Sequence, residues 1–187
     1  MPGAFLEWAD ALIAFGVVPA QRAILATANL LLGLWETNEC QARVASEHWG
    51  SPRIAVERAS AFVVGQKQDP LDREILDQAG AALEAARIEW GQEEAPEWFA
   101  AAAALYSVDG TIGGGADHDL LWCALSFAEG ALGFESVRNE VQAELVPWAL
   151  GYSDPVRERV DARQREAAGE CRLRELGGAK NAPETSL

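Results

Sequence analysis

Basic residues are scarce in this chain: fifteen Lys and Arg face twenty-nine Asp and Glu across 187 residues, a formal charge of −14. Such a chain is repelled by nucleic-acid phosphates and by anionic lipid, so neither is expected as a partner. Cysteine is equally sparse. Cys40, Cys123 and Cys171 are an odd number with no CxxC pair, which argues against a disulfide framework and suits a reducing cytoplasm. The N-terminal stretch carries Glu7 and Asp10 where a signal peptide carries Lys or Arg. The apolar run Ala23–Trp35 falls short of the roughly 20 residues that cross a bilayer, and Asn29 and Gly33 interrupt it, so no membrane span is expected. Strand signals are missing as well. Val17-Val18 and Phe62-Val63-Val64 are too short to outweigh the alanine and leucine around them.

What the chain does have is apolar mass: 49% hydrophobic residues and seven tryptophans, enough to build one core and to exclude full-length disorder. Proline marks its segments. Ser51-Pro52, Asp69-Pro70 and Asp154-Pro155 each set a capping side chain before a residue suited to the first helical turn, while Pro19 and Pro96 can open two more helices. Helices are predicted over 4–15, 20–47, 52–65, 70–90, 96–107, 117–132, 135–150 and 155–176. The expected fold is all-α, a single-domain antiparallel helical bundle of about seven or eight helices over residues 1–176, followed by a loose tail, 177–187. Apolar residues surround the segments holding Ile24, Leu25, Leu31 and Trp35 and holding Leu120, Leu121, Trp122, Leu125 and Phe127, which predicts that these two helices are central. Trp8, Trp35, Trp98 and Trp122 are expected in the core. Trp49, Trp90 and Trp148, near helix ends, are expected to be partly exposed.

Few residues offer chemistry. The stretch Asp109–Asp119 is glycine-rich and leads into a helix, but it holds aspartates and no Lys or Arg, so it would repel phosphate. Its simplest role is a connector with Asp117 or Asp119 as helix cap. The alternative is a small-ligand or metal-binding helical enzyme with its site at this loop, where Asp117, His118 and Asp119 would be the ligands. The spacing matches no calcium loop and no Glu-x-x-His partner motif is present, so neither metal nor cofactor is expected. Cys40 and His48 lie about two helical turns apart, too far for a thiol–imidazole pair. HExxH, Walker, Rossmann and Gly-x-Ser-x-Gly signatures do not occur.

Gln21, Trp35-Glu36 and Trp49-Gly50-Ser51-Pro52, within residues 19–65, resemble the opening of the bacterial YjaG-like family of small helical proteins of unknown function. That resemblance implies an all-α fold and supplies no catalytic residues. The charge points further. Between Asp69 and Glu144 stand sixteen acids and only Arg73, Arg87 and Arg138 as bases, with Glu74, Asp77, Glu84 and Glu89 on the wet face of a helix that ends at Trp90, followed by Glu93 and Glu94. The expected function is a non-enzymatic, acidic protein-interaction module in the manner of an immunity protein or antitoxin. It would dock a basic protein through these seven residues. Oligomeric state is left open.

Overall fold

The computed structural model describes residues 2–37, 39, 42, 44–67, 69–90, 96–112 and 118–179. They form an all-α fold: α1 Pro2–Ala14, α2 Val17–Trp35, α3 Ser51–Val63, α4 Asp72–Trp90, α5 Pro96–Ile112, α6 His118–Leu132, α7 Phe134–Ala149 and α8 Pro155–Ala179, with a 3-10 turn at Ser46–His48. No strand occurs among the described residues.

Local chemistry accounts for the helix ends. At the start of α4, Asp69 Oδ1 accepts the Leu71 N–H at 2.9 Å and Asp72 Oδ2 accepts the Asp69 N–H at 2.7 Å, a reciprocal cap around Pro70. Asp154 caps α8 by accepting the Arg157 N–H at 3.2 Å. Ser51 differs from expectation: it is the first residue of α3, preceded by Gly50 with no side-chain cap. Gly16 and Gly133 join consecutive helices at φ of 105° and 82°, a backbone conformation that side-chain-bearing residues rarely adopt. Residues 20–47 do not make one helix. Glu36 donates its N–H to Leu32 O, the Thr37 hydroxyl bonds Leu34 O, and α2 stops at Trp35. The link to α3 is then held by two indoles, Trp35 Nε1 bonding Trp49 O at 2.9 Å and Trp49 Nε1 bonding Val44 O at 2.8 Å.

The centre of the bundle is α5. Its consecutive alanines Ala100–Ala104 are fully buried, and it packs against α2, α3, α4 and α6. Methyl-only surfaces let helix axes approach to about 8 Å, the short end of the usual range. The buried hydroxyls of Ser107 and Thr111 are satisfied within the helix, on Ala104 O and Ser107 O. As expected, α2 is central, touching α5, α6, α7 and α3. It is long and apolar enough to cross a bilayer by length and composition, which differs from the sequence expectation; 56% of that stretch is buried inside the fold.

Helices α5, α6 and α8 each depart from expectation in one respect. Asp109–Ile112, expected in a loop, form the last turn of α5, with Gly110 and Thr111 buried. Trp122, expected in the core, is 37% exposed, because the inward face of α6 is made by Leu121, Ala124, Leu125 and Ala128. The last helix runs to Ala179, three residues into the segment expected as tail. It rests on α3 and α7 through Val156 and Val160, and every residue from Arg163 to Glu170 is exposed.

Candidate functional site

The acidic residues singled out by sequence separate in space. Glu74, Asp77 and Glu84 are exposed along α4, while Asp72 and Glu144, from the same acidic stretch, are buried. Burial of a carboxylate needs a partner. Arg58 supplies one to Asp72 through Nε and Nη2, and the Arg58 guanidinium holds the Asp72 carboxyl below its ordinary range against the opposing effect of burial. Arg159 grips Glu144 with both Nη atoms at 2.7 and 3.0 Å. Both arginines come from outside the acidic stretch, so long-range pairing consumes part of its charge. Glu89 and Trp90 fall in the last turn of α4, where side chains lie outside the described set, as do Glu93 and Glu94.

Of the alternative ligand set, His118 opens α6, Asp119 is exposed on its first turn, and Asp117 lies outside the described residues. No group of three metal-capable side chains occurs among the described residues. Asp109 lines a depression of about 360 Å³ with Asp69, Asp72 and Arg73 at the start of α4. Asp72 is already committed there to Arg58 and to the Asp69 N–H.

Two larger depressions were not foreseen from sequence. The first is an apolar groove of about 390 Å³ between α1 and α7, walled by Trp8, Leu12 and Phe15 on one side and by Leu145, Val146 and Trp148 on the other. Trp8 and Leu12 lie one turn apart on α1, with Phe15 just past its end, and Leu145 and Ala149 lie one turn apart on α7. Two of its lining residues are themselves exposed, Phe15 (74%) and Val146, and Val17, Val18, Leu150 and Tyr152, close to them in the chain, are exposed as well. Trp148 is fixed from behind, where Arg22 lies 4.3 Å above its ring while pairing with Asp154 at 2.7 and 2.8 Å. Trp8 is braced by edge contacts with Phe134. Both indoles that line the groove thus have packing partners within the fold. No stretch of the sequence marked it, because its walls come from helices far apart in the chain.

The second depression, about 460 Å³, lies between α2, α3 and α8 and is lined by Arg53, Arg159 and Arg163 with Glu57 among them. No family model matches the chain, and no curated protein or solved structure matches it.

Proposed function

We propose that this protein is a non-enzymatic interaction module that seats one apolar helix face of a basic protein in the α1/α7 groove, as an immunity protein or antitoxin would hold its target. The observation that carries this reading is an apolar groove whose own lining is partly open to solvent. Phe15 and Val146 line it and are exposed, which is costly in water and marks an interaction surface on a chain with ample polar residues. Apolar side chains contributed from two helices suit the apolar face of an amphipathic helix laid between them. The net charge of −14 supports a cationic partner and disfavours an acidic one. Exposed Glu7, on α1, and Glu74, Asp77 and Glu84, on α4, would draw that partner in before it docks.

Calorimetric titration with a helical peptide carrying a leucine stripe and lysines elsewhere tests this. Binding by the wild-type protein, no binding of a glutamate-bearing peptide with the same stripe, and loss of binding in the Phe15→Glu, Val146→Glu double variant are expected. Both positions are exposed, so the variant should fold. Equal affinity of the double variant would rule the groove out.

A further inference from the structure

Although the chain is short of basic residues, three arginines line one cavity between α2, α3 and α8. On its solvent-open side, where Glu57 and Arg163 are about half-exposed, Glu57 Oε1 lies 3.6 Å from Arg53 Nη1 and 3.3 Å from Arg163 Nε. A tight guanidinium–carboxylate hydrogen bond is about 2.7–2.9 Å. Arg159 reaches that with Glu144, and Arg53 is gripped by Glu36, so the Glu57 contacts are the loose ones. Glu57 is thus shared between Arg53, whose Nε and Nη2 already hold both oxygens of Glu36, and Arg163, whose Nη1 also lies 3.5 Å from Glu166; neither Glu57 contact has the planar two-oxygen geometry that a guanidinium prefers. In addition, Arg159 Nε is buried and finds no hydrogen-bond partner among the described residues. Leu32 and Val56 line the same cavity with carbon, alongside the polar Asn29, Ser60 and Gln66.

We propose that this cavity binds a small organic carboxylate, whose carboxylate group takes the place of Glu57 between Arg53 and Arg163 while its short carbon chain lies on Leu32 and Val56. A volume near 460 Å³ is of small-molecule size, since such sites run from about 300 to 1,000 Å³. The planar acceptor already standing there favours carboxylate over tetrahedral phosphate. The overall negative charge disfavours a polyanion, which points to a mono- or dicarboxylate. Glu57 then acts as an internal competitor that keeps the arginines paired when the cavity is empty. The cavity shares no lining residue with the α1/α7 groove, so this binding does not depend on the partner proposed above.

Succinate is the probe, titrated into the full chain against sodium chloride of equal ionic strength. Succinate-specific heat with the wild type, at least tenfold tighter binding in Glu57→Gln, no binding in Arg163→Ala and weaker binding of inorganic phosphate are expected. Should Glu57→Gln melt too early to titrate, the Nε–H resonances of Arg53 and Arg163 in the wild-type protein serve instead, and both should move on adding succinate. Absence of succinate-specific heat in both wild type and Glu57→Gln, an unchanged response in Arg163→Ala, or unmoved arginine resonances would each overturn the assignment.

Discussion

Arg22 ties three elements together: it belongs to α2, its guanidinium holds the carboxylate that caps α8, and its flat face covers Trp148 of α7. Only 3% of the residue is exposed, so the charge is out of water and tolerable because Asp154 takes both Nη atoms. Removing the carboxylate strands that charge. Asp154→Ala is expected to cost about 3–5 kcal/mol in chemical denaturation, well above the roughly 1 kcal/mol of a lost helix cap. Asp154→Ser separates the two effects, since a hydroxyl can cap α8 but cannot neutralise Arg22; a loss near 1 kcal/mol for both variants would show that the ion pair contributes little. The same pair predicts a pH response. Hydrogen bonding from Arg22 lowers the Asp154 carboxyl below its unfolded range, as Arg58 lowers Asp72. A depressed carboxyl stabilises the fold above its unfolded value, about pH 4, and that stability drains away as the pH falls below it towards the native value. Melting temperature should fall more steeply below about pH 4 in the wild type than in Asp154→Ser. Parallel curves would contradict this.

At the level of helices, sequence pattern located all eight segments because proline, glycine and capping residues act locally, and Pro96, Pro155 and Gly133 stand where elements begin or join. Depth was harder to read. The helix that sits deepest, α5, is alanine-rich and has no polar–apolar contrast around its axis from Ala100 to Ala104, so periodicity carries no sign of its place. On α6 the opposite error arose: Leu120 to Phe127 is apolar in every direction, and only packing decides that Leu121 and Leu125 turn inward while Trp122 turns out. Ranking by burial reverses the expectation from side-chain size. Leu125→Ala should cost about 2–5 kcal/mol, and Trp122→Ala markedly less, by denaturant midpoint at unchanged slope. A larger loss for Trp122→Ala would place that indole in the core. Neither candidate binding surface was legible for a related reason: the α1/α7 groove and the α2/α3/α8 cavity are assembled from helices distant in sequence, and local pattern is silent about which faces meet.

Across the whole molecule, charge is less segregated than the linear count suggests, since Arg58 and Arg159 reach into the acidic stretch and neutralise its buried members. What is left on the surface includes Glu74, Asp77 and Glu84 of α4. Replacing all three with lysine should slow association with the lysine-rich peptide several-fold at low salt and flatten its dependence on ionic strength, because steering acts over about a Debye length, ~10 Å at 0.1 M. Stability should change by less than about 1 kcal/mol, as exposed charges contribute little. Identical association rates and salt slopes, measured by stopped flow, would reduce α4 to a solubilising face. The alanine run of α5 has another consequence at this scale. With a methyl group on every side, Ala100–Ala104 form a nearly smooth cylinder, and a smooth cylinder does not fix its own angle of rotation among four neighbours. That angle is set beyond the run, where Trp98 and Tyr106 meet the ring of Phe127 and the Gly110 carbonyl accepts the Gln21 amide. The bundle is built round a plain shaft that is keyed on either side of its alanine run.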